Sequence, residues 1–170
     1  MSPTDDDSSL QASPWDDLDE DGNGLLVNDF LTTLVVTTGN ALRRTVTLQY
    51  TEQFGLTMPE WRVLSVLAEA REMPFAELTI HSATDKGQLS RTLRGMQERG
   101  LLEMRTEAAK KVTCLVTKAG LALYRKVMPV ARERQAAFIR TLSVVERRAL
   151  FGALHKLRDL CGADGEEASE

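Results

Sequence analysis

The chain has 170 residues, 42% of them hydrophobic, which suits one domain with tails and leaves room for a real core. Two cysteines far apart cannot form a disulfide framework, and no repeat, membrane span or secretory leader is legible, so a cytoplasmic protein with no membrane partner is expected. The formal net charge of −4 argues against a nucleic-acid binder only until it is divided along the chain.

Residues 1–22 hold eight acids and no base, and residues 162–170 hold four acids and no base. The 21 bases therefore all fall within residues 23–161, against 13 acids, and twelve of them lie between Lys86 and Arg134 against four acids. That is the footprint a phosphate backbone attracts.

Residues 1–22 are rich in Asp, Ser and Pro, with little apolar content beyond Leu10, Trp15 and Leu18. They cannot bury enough surface to order themselves and are expected to be a disordered acidic tail. Asp17, Asp19, Asp21 and Gly22 match the opening of an EF-hand calcium loop, but its closing Glu position is Asn28, its aliphatic position is Gly24, and no helix precedes it. No metal site is expected there.

From about Val27 to Phe54 the pattern is helical, with Phe30, Leu34, Ala41, Thr45 and Leu48 near one side, Leu31, Val35, Leu42 and Val46 beside them, and Thr45 the one polar member of the arc. So broad an arc predicts burial against two neighbours, its own domain and a partner subunit. Gly55 ends the helix. Thr57-Met58-Pro59-Glu60 is a capping box with proline in the first turn, opening a helix through Trp61, Val63, Leu64, Val66 and Leu67. Pro74 starts a short helix to about Ser82, and a tight turn leads into Thr84 to Leu102.

That last stretch organises the chain. Asp85 or Thr84 can cap it and Gly100 can stop it. Leu89, Leu93 and Met96 form one stripe for a core, and Gly87, Ser90, Arg91 and Arg94 lie opposite. Arginine can donate two bonds to guanine or neutralise phosphate, and serine can reach either. A short helix, a tight turn and a basic second helix make a helix-turn-helix. Leu101 to Thr106 and Lys111 to Val116 lean to β around a polar connection and read as a hairpin wing.

Thr117 then caps a long helix from Lys118, with Leu121, Tyr124, Met128, Ala131, Gln135, Phe138 and Leu142 spaced as a pairing seam, and with Pro129 inside it expected to kink it. Ser143 to Glu146 is a second capping box, opening a last helix whose stripe is Leu150, Leu154, Leu157 and Cys161. Helices at both ends of a winged motif imply a dimer. The expected fold is mainly α with a small β-hairpin wing.

In order and residues together, the chain resembles the MarR family of winged-helix transcriptional regulators over roughly Val27 to Leu160. The resemblance rests on Leu56-Thr57 with Trp61-Arg62-Val63-Leu64, Asp85-Lys86 with Ser90-Arg91, Glu98-Arg99-Gly100-Leu101, and Thr117-Lys118-Ala119-Gly120. It implies a MarR-like domain over 23–161, with dimerisation helices in 23–55 and 118–161 flanking a winged helix-turn-helix DNA-binding lobe over 56–117, between acidic tails at 1–22 and 162–170. It also implies a homodimer on an imperfect palindrome of double-stranded DNA. Lys86, Gln88, Ser90, Arg91 and Arg94 would lie at the major groove or its flanking phosphates. Relatives reach the minor groove through an arginine in a D-x-R motif of the wing, where this chain has Ala108 and Lys110. Arg105, Lys110 and Lys111 can still hold phosphates as point charges.

Many such relatives are repressors released by a small phenolic or aromatic acid. The resemblance makes Arg43, Arg44, Trp61 and His81 the candidates for touching an effector here, beside readings in which Trp61 is core, His81 packs a helix and the arginines are solvated. Two alternatives stand beside this reading. One is an oxidation-sensing regulator of the same fold, using Cys114 or Cys161, and the other is a winged-helix module that binds an acidic protein instead of DNA. No nucleophile has a base beside it and no phosphate-binding loop follows a strand, so no enzyme and no cofactor are expected.

Overall fold

The computed structural model describes residues 13–82, 84–106 and 111–162. The chain forms two compact units, Met1–Arg43 and Arg44–Glu170.

In the first unit, residues 13–22, part of the expected acidic tail, carry turns, and Trp15 donates from Nε1 to the Asp29 carbonyl at 2.8 Å. Asp19 spends both carboxylate oxygens on Asn23, accepting from its backbone N–H at 2.8 Å and its side-chain amide at 3.0 Å. These bonds hold the Asp19 carboxyl below its ordinary range. Among the described residues no group of His, Cys, Asp or Glu is arranged to hold a metal ion. A short 3₁₀ turn, Val27–Asp29, precedes α1, Leu31–Leu42.

The single helix expected from Val27 to Phe54 is interrupted. A π-helical turn, Arg43–Thr47, follows α1 and leads into α2, Leu48–Gln53. Leu31, Leu34, Val35, Val36 and Leu42 of α1 are exposed in the single chain, whereas Val46, Tyr50 and Thr51 are buried in the second unit.

That unit is built around α3, Met58–Ala70, which packs against α2, the next strand and the next two helices, the last strand of the wing and the long helix that follows the wing. Its capping box is formed: Glu60 N–H donates to Thr57 Oγ1 at 3.4 Å, and Thr57 N–H donates to Glu60 Oε2 at 2.8 Å. Val63, Leu64 and Leu67 are fully buried, each worth roughly 1.5–3 kcal/mol of apolar transfer. Arg71, at φ +73°, turns the chain out of α3 into β1, Glu72–Pro74, and its carbonyl accepts from Val116 N–H at 3.0 Å. Then come α4, Phe75–His81, α5, Lys86–Glu98, β2, Leu102–Thr106, and β3, Val112–Val116.

The wing is thus a hairpin with a third strand. The antiparallel order is β1-β3-β2, and Met73 and Met104 flank Cys114 across β3. Where a helix is expected from Pro74, residues Glu72–Pro74 form β1 and the helix starts at Phe75; a three-residue strand carries no period of its own and pairs with β3, distant in the chain.

The helix α6, Lys118–Ile139, continues through Pro129. Its N-terminus is fixed by Thr117, whose hydroxyl accepts from Gly120 N–H at 3.0 Å and donates to the Gly100 carbonyl at 2.7 Å. A side chain at Gly120 would collide with the Leu101 carbonyl oxygen and come within 2.9 Å of Val116 Cγ2, so helix and wing touch backbone to backbone here. The first half of the expected pairing seam is used inside the chain: Tyr124, Met128 and Ala131 join Val127 in the core. Only beyond Ala131 is the seam open, at Gln135 and Phe138. The last helix, α7, Val144–Leu160, starts at the Ser143–Glu146 capping box and has no buried residue.

Candidate nucleic-acid interface

The α5 helix begins at Asp85, whose Oδ1 accepts from Gln88 N–H at 2.8 Å. It ends at Gly100, which adopts φ +67° while Leu101 N–H closes on the Met96 carbonyl at 2.9 Å. Leu89, Leu93 and Met96 are 0% exposed, so the rotation of the helix about its axis is set by burial. That rotation leaves Lys86, Gly87, Gln88, Ser90, Arg91 and Arg94 all exposed.

The turn before α5 is tied off by its own side chains. Ser82, buried, donates to the Leu78 carbonyl at 2.6 Å, and Thr84 donates to the Ser82 carbonyl at 2.9 Å. At Gly87 an added methyl would lie 3.3 Å from Asp85 Oδ1 and 3.8 Å from Arg91 Nη1, so the glycine leaves room for both the cap and the arginine. Among the described residues Lys86, Arg91 and Arg94 make no ion pair; the two that are formed are Arg99–Glu60 and Arg105–Glu103. Cations held in the open without a carboxylate are free to meet phosphate.

The wing contributes less. Arg105 is exposed but shares its charge with Glu103 at 3.4 Å. Lys111 is exposed at the base of β3, and Ala108 and Lys110 lie outside the described residues.

The four effector candidates have different local surroundings. Trp61 is a core residue, edge-on to Tyr50 with ring centroids 5.8 Å apart and stacked on Tyr124 at 5.9 Å. His81 is exposed at the end of α4, Arg44 is exposed, and Arg43 is half-buried in the π-helical turn. A cavity of about 420 Å³ instead lies where α4 meets the wing, lined by Pro74, Phe75, Ala76, Glu77, Lys111 and Val112. No motif announced it, because its walls come from residues 74–77 and 111–112, which are distant in the chain.

Cys114 is fully buried, and burial pushes its thiol up to about 11. It is therefore protonated at neutral pH and a poor nucleophile. Cys161 is free and exposed.

The MarR family model matches residues 54–111, from the end of α2 to the base of β3. Over this lobe the chain is similar to the MarR family. Solved structures extend the MarR likeness over most of the chain. A MarR/EmrR family transcriptional regulator from Acinetobacter sp. ADP1 is 26% identical over 81% of this chain and 99% of its own, with a TM-score of 0.71. Rv2887, a MarR family protein of Mycobacterium tuberculosis solved with salicylic acid, is 25% identical over 75% and 96%, with a TM-score of 0.61. Bordetella bronchiseptica BpsR, whose DNA binding is regulated by 6-hydroxynicotinic acid, is 20% identical over 79% and 97%, with a TM-score of 0.70. No curated protein matches the chain in sequence. The chain has the winged-helix fold of MarR-family transcriptional regulators. Among its described residues no helix is long and apolar enough to cross a membrane.

Proposed function

We propose that this protein is a cytoplasmic, homodimeric repressor that binds an imperfect palindrome in double-stranded DNA and lets go when it binds a small aromatic acid. The observation that carries the reading is the α5 helix: its apolar stripe is fully buried while Lys86, Arg91 and Arg94 stand exposed on the other side without an ion pair among the described residues. In the major groove Arg91 and Arg94 donate to guanine or phosphate, Gln88 and Ser90 read base edges, and Lys86 holds phosphate near the helix start. Arg105, Lys110 and Lys111 of the wing add phosphate contacts without reading sequence. Repression is preferred to activation because blocking polymerase requires only occupancy.

Dimer formation is supported by apolar side chains left uncovered in the single chain: Leu34 and Val35 on α1, Phe138 at the end of α6, and Leu150, Phe151 and Leu154 on α7. The effector class is supported by the two relatives solved or studied with aromatic acids. In this chain the cavity at the wing base offers an apolar wall from Phe75 and Val112 and a cation from Lys111, opposed by Glu77. Arg43, Arg44, Trp61 and His81 remain the other candidates. Release requires that the acid bind better to a dimer whose recognition helices are wrongly spaced.

The test is fluorescence anisotropy of purified protein on the DNA flanking its own gene, across a salt series, beside an Arg91→Ala, Arg94→Ala variant. Tight, site-selective, salt-dependent binding that the variant loses is expected, with release by salicylate or 6-hydroxynicotinate. Equal weak binding to every DNA, indifferent to the variant, would leave a winged-helix module for an acidic protein partner.

A further inference from the structure

Arg99 stands apart from the other cations of this region. It caps the C-terminus of α5 and donates from Nη1 to Glu60 Oε1 at 2.8 Å and from Nη2 to the Gly55 carbonyl at 2.9 Å. Glu60 is buried, and its second oxygen accepts from the Thr57 N–H and hydroxyl at 2.8 and 3.0 Å. One planar guanidinium thus joins the end of the basic helix to the first turn of α3 and to the turn that leaves α2. Lysine, a single point of charge, cannot span both acceptors with the same fork.

Leu89, Leu93 and Met96 share the apolar core with Val63, Leu64 and Leu67 of α3, and apolar contact has no preferred direction. The Arg99 clamp is a directional tie from α5 to α3, beside the Thr117 bonds that hold Gly100 and Leu101 to the start of α6. Over the roughly 20 Å length of the thirteen-residue helix, a tilt of about 10° at the Arg99 end would move the Lys86 end by roughly 3 Å. A binding site tolerates displacements of only about half an ångström.

We propose that Arg99 is a positioning residue for DNA reading: through Glu60 and Gly55 it fixes the angle at which α5 is presented, and it does not itself neutralise phosphate. This rests on the DNA-binding reading above. The chemistry separates the two roles. A phosphate contact supports binding to any DNA and appears in the salt slope, whereas a positioning contact supports only the preferred site.

The experiment measures affinity for the flanking DNA and for a random duplex of equal length, across a salt series, on full-length wild type, Glu60→Gln, Arg99→Lys, Arg99→Ala and Arg94→Ala, each first shown to be folded by thermal melting. Glu60→Gln removes no cation and keeps an oxygen for the Thr57 cap. We expect it to weaken site binding roughly tenfold while random-DNA affinity and the salt slope stay at wild-type values. Arg99→Lys should behave alike, whereas Arg94→Ala should weaken binding to both DNAs and lower the slope by about 1. Wild-type site preference in both Glu60→Gln and Arg99→Lys would overturn the proposal. So would an Arg99→Ala variant that loses affinity equally on both DNAs together with a unit of slope. No site preference even in the wild type would overturn the DNA reading and this proposal with it.

Discussion

At the scale of single residues, the chemistry separates groups that are spent from groups that are free. Asp85, Thr57, Ser143 and Thr117 spend their side-chain oxygens on backbone donors at helix starts, Arg99 spends its fork on Glu60 and Gly55, and among the described residues Lys86, Arg91 and Arg94 form no ion pair. Cys114 belongs with the spent groups. Its folded value of about 11 lies above the ordinary 9.0, so its contribution to stability is complete below pH 9 and is lost as pH rises through 11. Urea unfolding between these pH values should therefore show a loss of stability whose slope is smaller in Cys114→Ala. Equal slopes would show that Cys114 ionises no differently in the folded and unfolded chain. Thiol counting on the native protein should find Cys161 alone, which leaves little room for oxidation sensing at the wing.

At the scale of elements, the joint between wing and α6 depends on a missing side chain. Gly120 lies against the Leu101 carbonyl, the Thr117 N–H donates to that same carbonyl at 3.2 Å, and Thr117 Oγ1 holds the Gly100 carbonyl. The stop of the basic helix, the start of β2 and the start of α6 are therefore one structure. Gly120→Ala should force these backbones apart and cost about 1–3 kcal/mol in urea unfolding, although alanine is the better helix former. A variant as stable as the parent would mean that the joint relaxes freely.

At the scale of the whole molecule, charge is segregated. Deleting residues 1–22 removes eight acids and no base and takes the formal charge from −4 to +4. If the protein binds DNA, that deletion should raise affinity modestly at low ionic strength, and the gain should fade as salt shortens the Debye length to about 10 Å at 0.1 M. Unchanged affinity at every salt concentration would show that the acidic stretch exerts no field on the basic face.

Local signals carried the sequence far. Capping residues act within three positions of themselves, and the stripe Leu89, Leu93, Met96 within two turns, so helix starts, the basic face and the hairpin were legible before any coordinates. The family resemblance was legible for the same reason, since its motifs sit at those starts and stops. What only the tertiary structure decided involves partners distant in the chain. β1 exists because Met73 meets Cys114, Tyr124 and Met128 turn inward because the lobe covers them, and Trp61 is walled by tyrosines from two other helices. Arg99 reads in sequence as one more base of a basic run, and is neutralised only because the fold brings Glu60, thirty-nine residues away, within 2.8 Å. Periodicity reports which face of an element is apolar; it cannot report what will cover that face, because the covering residues lie elsewhere in the chain or in another molecule.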